Sequence, residues 1–321
     1  MDCQQLDNII KSSKNILIIS HINPDGDTLG SMCGLYSAIY DNFKKKADML
    51  LMSKLPAIYT FLPDIELAKH ISNYDLSREY DLVINVDVAS YDRMFDSRTL
   101  YDKAKYKVNI DHHITNDNYA DLNIVCPDAS STGEVLLDIM EALNWKISLN
   151  TAKSLYTAIL TDTGSFKYNN TTQKALNSAA KLAGAGVIPS EIYKYCYESN
   201  SREHVQFQAH CISNAVFSED NKIAYIIVYK KDMERYNVAE DCTEGLTEKL
   251  RAIKSVEVAF IAKQLGASLS KISMRSESAD ISSVCAKFDG GGHKLAAGCM
   301  IKCSVEDAAR RVYEEVKKLK L

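Results

Sequence analysis

Short apolar runs alternate with longer amphipathic stretches in the first half of the chain. The apolar runs have the length of strands and are hydrophobic nearly throughout, at residues 15–20, 47–52, 82–87 and 107–110. The stretches between and after them have helical spacing, at residues 28–42, 131–143, 150–160 and 172–184. Apolar strands separated by helices are typical of parallel sheets that are buried on both sides. We therefore predict an α/β fold whose mostly parallel sheet is covered by helices on both faces.

The pattern breaks near residue 185, where Gly-Ala-Gly is followed by Val-Ile-Pro. Residues 186–217 mix polar and aromatic side chains, and we expect them to form a helical linker. Strand patterns then occur at residues 222–229, 256–263, 268–274 and 298–302, and helical patterns at 243–253 and 305–319. We therefore expect one domain at residues 1–185 and a smaller α+β domain at residues 218–321.

Composition and cysteine usage indicate an ordinary globular protein in a reducing compartment. Hydrophobic residues make up 46% of the 321 residues and charged residues 25%. No apolar stretch approaches the roughly 18 residues of a membrane helix, and the first residues lack the regions of a signal peptide. The nine cysteines are an odd number without a Cys-x-x-Cys pair, which favours free thiols. We expect a cytoplasmic protein without a membrane partner.

The charge distribution disfavours a long nucleic acid as partner. The formal net charge is −4, and the only notable basic runs are residues 44–46 and 317–320. A protein that follows a long polymer usually carries a basic stripe, whereas we interpret these runs as solvated surface. The sequence leaves open whether the protein forms a homodimer.

Clusters of aspartate and histidine follow the apolar runs of the first half. They are the segment from His21 to Asp27, the single Asp87, the triplet Asp111-His112-His113, and Asp162. Each cluster alone would most often be a helix cap or a turn. Together they point to one site, because ligands of parallel sheets bind at the carboxyl ends of the strands. We expect all four clusters to lie at strand ends along one edge.

The residue types in these clusters predict a centre with two divalent ions. Oxygen ligands with a minority of imidazoles and no thiolate suit Mn²⁺ best, with Mg²⁺ as the second candidate. The four carboxylates of Asp25, Asp27, Asp87 and Asp162 would be neutralised by two dications and would repel one another without them. Paired divalent ions suit hydrolysis of a phosphate ester or anhydride. The spacing of Gly26, Gly30 and Gly34 excludes a dinucleotide fingerprint and is typical of a helix-packing face.

The same residues carry a resemblance to a known family. His-Ile-Asn-Pro-Asp-Gly-Asp, Val-Asp-Val-Ala, Asp-His-His and Thr-Asp-Thr-Gly-Ser-Phe resemble, in order, the four motifs of the DHH phosphoesterases. In the second half, Ser-Met-Arg-Ser and Gly-Gly-Gly-His-Lys-Leu-Ala-Ala-Gly resemble the DHH-associated nucleotide-binding domain. The resemblance spans nearly the whole chain and is greatest to the NrnA-type nanoRNases and pAp phosphatases. It implies that residues 1–185 are the catalytic domain and residues 218–321 the substrate-binding domain.

The resemblance implies a role for each clustered side chain. One metal ion would be bound by His21, Asp25 and Asp87. The other would be bound by Asp27, Asp87, His112 and Asp162, so that Asp87 is shared. His113 would face the substrate phosphate as a positioning or acid group, and Asp111 would orient the histidines.

In the second domain the resemblance implies contacts to another phosphate of the substrate. The residues concerned are Arg275, Ser276, Gly290, Gly291, Gly292 and His293. Arginine binds phosphate through two parallel hydrogen bonds, and glycine lets a backbone approach it closely. The sequence departs from the family at Asp289, where a glycine is usual. A carboxylate there would repel a phosphate unless it points away or pairs with Lys287 or Lys294.

The function implied is that of a 3′–5′ exonuclease of RNA a few nucleotides long, which also converts 3′-phosphoadenosine 5′-phosphate (pAp) to AMP. A stand-alone phosphodiesterase for linear or cyclic dinucleotides, of the c-di-AMP or pApA type, is the alternative within the same chemistry. An inorganic pyrophosphatase should lack the Arg275-Ser276 and Gly-Gly-Gly-His elements, and a long-strand exonuclease should be larger and more basic. A non-catalytic nucleotide sensor is the alternative of a different class.

Overall fold

The computed structural model describes residues 2–321 and divides the chain between Ser199 and Asn200 into two units. The division falls inside the segment that we expected to be a helical linker. Its first helix, Pro189–Tyr197, belongs to the first unit, and its second helix, Arg202–Ser213, belongs to the second.

The first unit is built on a six-stranded sheet in which every pairing is parallel. The strands are β1 (Ile16–Ile19), β2 (Asp48–Leu51), β3 (Lys69–His70), β4 (Leu82–Val86), β5 (Tyr106–Asp111) and β6 (Leu122–Val125), in the spatial order β3-β2-β1-β4-β5-β6. The four predicted strands are present. The pattern missed the two edge strands: β3 has only two residues, and the apolar run of β6 is interrupted by Asn123.

Helices surround this sheet, and the fold class predicted from the pattern is confirmed. They are α1 (Cys3–Ser12), α2 (Gly26–Phe43), α3 (Arg98–Lys103), α4 (Thr132–Ala142), α5 (Leu149–Asp162), α6 (Gln173–Gly184) and α7 (Pro189–Tyr197). Short 3₁₀ segments lie at Ala57–Tyr59, Ile65–Leu67, Ile71–Asn73 and Tyr91–Ser97. Along β1, Ile16 and Ile18 pack into one core cluster and Leu17 and Ile19 into another. Burial on both faces explains why β1 is apolar at every position.

Helices α2 and α5 pack closely because one face of α2 carries glycine. Gly26, Gly30 and Gly34 face Thr161, Ala158 and Leu155 in turn, so the two helices run in opposite directions. A Cβ on Gly30 would lie 2.5 Å from the backbone oxygen of Ser154. The helix-packing face predicted from the glycine spacing is thereby confirmed. The packing brings the carboxyl end of α5 to the amino end of α2.

The second unit contains a mixed six-stranded sheet with helices on both faces, as the α+β pattern predicts. Its strands are β7 (Val216–Phe217), β8 (Ile223–Val228), β9 (Val258–Gly266), β10 (Leu269–Ser276), β11 (Gly291–His293) and β12 (Ala296–Ile301), in the order β11-β12-β10-β9-β8-β7. Only β8 and β9 pair in parallel. The helices are α8 (Arg202–Ser213), α9 (Lys230–Tyr236), α10 (Leu246–Arg251), α11 (Ser282–Ala286) and α12 (Val305–Val316), with a 3₁₀ turn at Glu240–Thr243.

Two further expectations concern the whole chain. All nine cysteines carry free thiols. Within residues 2–321, no helix combines the length and the apolar character that crossing a membrane requires.

Candidate metal centre

The acidic and histidine clusters meet at the carboxyl ends of β1, β4 and β5. The strand order changes direction between β1 and β4, and such switch points are where parallel sheets bind ligands. His21 follows β1, Asp87 follows β4, and Asp111 is the last residue of β5. The structure therefore places these three residues where the strand pattern predicted them.

Asp162 differs from the expectation, because it ends helix α5 and does not follow a strand. The apolar run before it is the buried face of that helix. Asp162 reaches the strand ends through the close packing of α2 and α5, which places it beside the first turn of α2. The expectation that all four clusters occupy strand ends was wrong for this one.

The first group of donor atoms comprises His21, Asp25 and Asp87, whose ligand atoms lie within 4.8 Å of one another. His21 Nε2 lies 3.3 Å from Asp87 Oδ2, and the other ring nitrogen, Nδ1, lies 2.7 Å from the backbone oxygen of Ile22. That second contact favours the tautomer in which Nδ1 carries the proton and Nε2 can bind a metal ion. Asp25 is the exposed member and also caps helix α2.

The second group comprises Asp27, His112 and Asp162, within the same 4.8 Å limit. His112 Nε2 lies 3.6 Å from Asp27 Oδ2 and 3.6 Å from Asp162 Oδ2. It also lies 3.7 Å from Asp87 Oδ1, the oxygen opposite to the one that faces His21. Asp87 therefore presents one carboxylate oxygen to each group, which is the geometry of a shared ligand.

Both central carboxylates are held by hydrogen bonds from neighbouring elements. Asp27 accepts hydrogen bonds from the backbone N–H groups of Thr132 and Gly133, at 2.8 and 3.0 Å, in the first turn of α4. Asp87 accepts one from the hydroxyl of Thr28 at 2.6 Å and one from the hydroxyl of Thr132 at 3.2 Å. Helix amino ends favour negative charge, so α4 stabilises Asp27 as a carboxylate.

The hydroxyls of Thr28 and Thr132 were missed by the reasoning from sequence. Thr28 lies next to a predicted ligand, which was an available signal, because residues beside ligands often orient them. Thr132 carried no such signal. It lies at the start of an amphipathic helix, where threonine is ordinarily part of a cap.

Burial and mutual repulsion disturb the pKa values of these carboxyls. Burial, followed by the charges of Asp87 and Asp162, raises the pKa of Asp27 well above its usual range. Burial likewise raises the pKa of Asp162 to about 7. Burial alone would raise the pKa of Asp87 too, but the adjacent His21, together with the nearby His113 and His112, outweighs it and lowers that pKa. Divalent cations would relieve the repulsion, so the donor types, distances and charges fit a metal site.

Asp111 and His113 form a second hydrogen-bonded arrangement beside the donor groups. Asp111 is fully buried and accepts hydrogen bonds from the backbone N–H groups of His112 and His113. The same oxygen lies 2.7 Å from His113 Nδ1. This hydrogen bond, which outweighs partial burial, raises the pKa of His113 to about 9. Nδ1 of His113 is thus turned toward Asp111, which leaves Nε2 as the other ring nitrogen.

In the second unit, Arg275 and His293 occupy one cross-strand row. Ala296 in β12 pairs with Arg275 in β10 on one side and with His293 in β11 on the other. Directly paired residues point to the same face of a sheet, so the side chains of Arg275 and His293 flank a small alanine. A Cβ at Gly290 or Gly292 would collide with β12, whereas Gly291 has open space around it. Arg275 Nε lies 2.9 Å from Glu248 Oε1.

Ser276 makes a local hydrogen bond, and Asp289 lies exposed at the start of the glycine run. The hydroxyl of Ser276 donates a 2.6 Å hydrogen bond to the backbone oxygen of Ala279. Asp289 is exposed and has a φ of 56°, a conformation that suits the glycine usual at this position. Lys287 pairs with Glu315 at 2.6 Å and so does not neutralise Asp289.

The fold defines a class of α/β proteins built from two units. In this class, aspartate and histidine side chains at the edge of a parallel sheet form a site able to hold metal ions. The N-terminal domain of the DHH family matches residues 15–161, and the DHHA1 domain matches residues 220–319. This chain belongs to the DHH family.

Individual relatives are similar over nearly the full length. The probable bifunctional oligoribonuclease and PAP phosphatase NrnA of Streptococcus mutans is 31% identical over 97% of this chain and 96% of its own. The bifunctional oligoribonuclease and PAP phosphatase NrnA of Bacillus subtilis is 28% identical over 89% of each chain. Among solved structures, an exopolyphosphatase-related protein from Bacteroides fragilis has a TM-score of 0.93 at 23% identity, covering 98% of this chain and 95% of its own. That last likeness concerns the fold.

Proposed function

We propose that this protein hydrolyses phosphate ester bonds of very short nucleotides. The substrates would be RNA of a few residues, cut from the 3′ end, and pAp, converted to AMP. The observation that carries the proposal is that two donor groups, His21–Asp25–Asp87 and Asp27–His112–Asp162, lie at the edge of the sheet, with one oxygen of Asp87 facing His21 and the other facing His112. The relatives from S. mutans and B. subtilis, named for oligoribonuclease and PAP phosphatase activity, support the same substrates. The free thiols are consistent with action in the cytoplasm.

We propose that one ion binds to His21, Asp25 and Asp87 and the other to Asp27, Asp87, His112 and Asp162. Mn²⁺ is the ion we favour, with Mg²⁺ second, because the donors are oxygens with a minority of imidazoles. When bound at these residues, divalent ions would supply activation of a water molecule and stabilisation of charge on the phosphate. The protein's part is to keep the carboxylates at fixed positions, through Thr28, Thr132 and the first turn of α4.

His113 would act on the substrate phosphate. Asp111 holds its Nδ1, so Nε2 is the nitrogen that can donate to a phosphate oxygen. With its pKa raised to about 9, His113 carries that proton at neutral pH. It can therefore neutralise developing charge and donate a proton to the leaving oxygen. Asp111 is the positioning residue that fixes this orientation.

The second unit would bind a phosphate remote from the bond that is cut. Arg275 and His293 would contact it from either side of Ala296, and the N–H groups of Gly290, Gly291 and Gly292 would lie beside them. Substrate phosphate would compete with Glu248 for the Arg275 guanidinium. We propose that Ser276 acts by fixing the turn after Arg275, since its hydroxyl donates to Ala279.

A side-by-side turnover assay tests the proposal. The purified protein with Mn²⁺ is given pAp, di- to pentanucleotides and cyclic dinucleotides, with chelated protein and Asp87→Asn as controls. We expect turnover of pAp and short RNA, lost on chelation, restored by Mn²⁺, and largely removed in Asp87→Asn although that variant unfolds cooperatively. Turnover of cyclic or linear dinucleotides alone would favour the alternative of a dinucleotide phosphodiesterase. Nucleotide binding without turnover would favour a non-catalytic nucleotide sensor. Full activity of the metal-free protein would refute the metal centre.

A further inference from the structure

The loop that follows Asp162 carries an exposed aromatic side chain, Tyr168. The loop leaves the centre at Asp162 and returns to it at Asn170, whose side-chain amide donates to the backbone oxygen of Asp162 at 3.1 Å and reaches its carboxylate at 3.5 Å. Tyr168 lies two residues before this return. Both ends of the loop are thus attached to Asp162, and the backbone N–H of Tyr168 donates to the backbone oxygen of Thr163, the next residue, at 3.0 Å.

The backbone of this loop adopts a strained conformation. Gly164, Ser165 and Phe166 have φ values of 56°, 62° and 61°, so three consecutive residues are left-handed. For residues other than glycine this conformation costs about 1–2 kcal/mol each. Strain of this kind persists where the surroundings enforce it, and it is concentrated at functional sites.

Two hydrogen bonds and one packed ring hold the strained turn in place. The backbone N–H of Ser165 donates to the oxygen of Leu160 at 2.7 Å, and that of Phe166 donates to the hydroxyl of Thr163 at 3.1 Å. The ring of Phe166 packs against the core, with its centroid 6.2 Å from that of Tyr156. The turn therefore directs the chain back so that Tyr168 can cover Gly164.

The ring of Tyr168 lies directly on Gly164, where any Cβ would overlap it. One side of the ring is thus supported by backbone, and the side chain remains 46% exposed. Lys167 holds its ammonium group 5.3 Å from the ring centroid, but it is an exposed and flexible side chain that a ligand can displace. A rigid, half-exposed aromatic ring next to a phosphate-ester site is suited to stacking against a nucleobase.

We propose that Tyr168 is a substrate-binding residue that stacks on the base of the nucleotide whose phosphate ester is cut. The inference rests on the proposed function and adds a base-binding surface in the first unit to the phosphate contacts in the second. Stacking tolerates every base, because each has a flat π-face. This surface would thus bind nucleotides without selecting among sequences.

The test compares a substrate with a base and one without. The full-length protein with Mn²⁺ is given pAp and its abasic analogue, in which tetrahydrofuran replaces the nucleoside sugar. For Tyr168→Ala we expect kcat/KM on pAp to fall about 5- to 150-fold, the range for the loss of one base–aromatic stack. For the abasic analogue, kcat/KM of Tyr168→Ala should change less than about twofold. Tyr168→Phe should retain the wild-type kcat/KM on both substrates.

Tyr40→Ala is the matched control. Tyr40 is 42% exposed and has Lys44 5.5 Å from its ring centroid, but it lies near the far end of α2, about 20 Å from the centre at 1.5 Å per residue. It should leave both substrates unaffected. Equal losses on pAp and the abasic analogue for Tyr168→Ala, no loss on either, or a Tyr168→Phe variant as poor as Tyr168→Ala would overturn the stacking role.

A binding measurement separates this inference from the proposed function. If the wild-type protein with Mn²⁺ hydrolyses neither substrate, the proposed function fails. Calorimetric titration with AMP and with ribose 5-phosphate then still tests whether the ring of Tyr168 stacks on a base. Tyr168→Ala should weaken AMP binding by a similar factor and leave ribose 5-phosphate binding unchanged, whereas unchanged AMP affinity would refute the stack.

Discussion

The hydroxyl of Thr28 donates a 2.6 Å hydrogen bond to Asp87, 59 residues further along the chain. Thr28 is fully buried in the first turn of α2, and Asp87 has a φ of 62° at the end of β4. The hydrogen bond joins the helix that carries Asp25 and Asp27 to the carboxylate that faces both donor groups. The position of Asp87 therefore depends on a side chain that binds no metal itself.

We predict that Thr28→Val weakens metal binding without unfolding the protein. Valine preserves the shape but removes the hydrogen bond that orients Asp87, and the loss of such a partner typically costs about 10- to 100-fold in metal affinity or activity. Calorimetric titration with Mn²⁺ measures the effect. Thr157→Val is the control, because that equally buried hydroxyl bonds only to the backbone oxygen of Lys153. Unchanged Mn²⁺ affinity in Thr28→Val would show that Asp87 is held by other contacts.

Metal affinity should fall as the pH is lowered through 7. A carboxyl must lose its proton to bind a cation, and burial raises the pKa of Asp162 to about 7 and that of Asp27 well above its usual range. Below pH 7 the metal ion must displace a proton from Asp162, whereas at pH 8 this carboxyl is already ionised. From pH 8 to pH 6 the affinity for Mn²⁺ should fall at least about tenfold from this group alone. Equal affinities at both pH values would contradict the raised pKa.

The rate should fall as the RNA becomes longer than a few nucleotides. The chain has a formal net charge of −4 and no basic stripe, so binding energy must come from one or two phosphates. Turnover per 3′ end, measured on a 5-mer and a 30-mer at the same salt concentration, tests this. Comparable rates on both would revive the long-strand exonuclease.

Arg275→Ala should separate binding from chemistry. Loss of a charge-assisted contact to phosphate should cost roughly 1.5–3 kcal/mol, or about 10- to 150-fold in kcat/KM for pAp and dinucleotides. An activated ester without a second phosphate never makes the contact, so its Mn²⁺-dependent hydrolysis should be spared in Arg275→Ala and lost in Asp87→Asn.

Arg310→Ala is the control for this comparison, because Arg310 lies on the surface of α12 and pairs with Asp307. This variant should hydrolyse pAp and the activated ester at wild-type rates. A loss on the generic ester as severe as that on pAp in Arg275→Ala would place Arg275 in the chemistry instead of at a remote phosphate.

Much of the candidate site follows from local sequence patterns. A residue that ends an apolar strand must lie at the strand's carboxyl end, so the placement of Asp87 and Asp111 could be inferred without coordinates. Asp162 could not be placed this way, because an apolar run before an aspartate has the same appearance in a buried helix and in a strand. Its position depends on the glycine face of α2, which lets α5 approach.

The sequence alone determined the α/β class, the order of the main elements and the chemical type of the centre, because hydrophobic periodicity and residue type are local properties. Tertiary structure alone decided which oxygen of Asp87 faces which histidine, that Thr28 and Thr132 hold it, and that Tyr168 covers Gly164. These relationships join residues distant in sequence, and they arise only when helices and strands pack. The packing depends on the shapes of many side chains at once, which no single segment encodes.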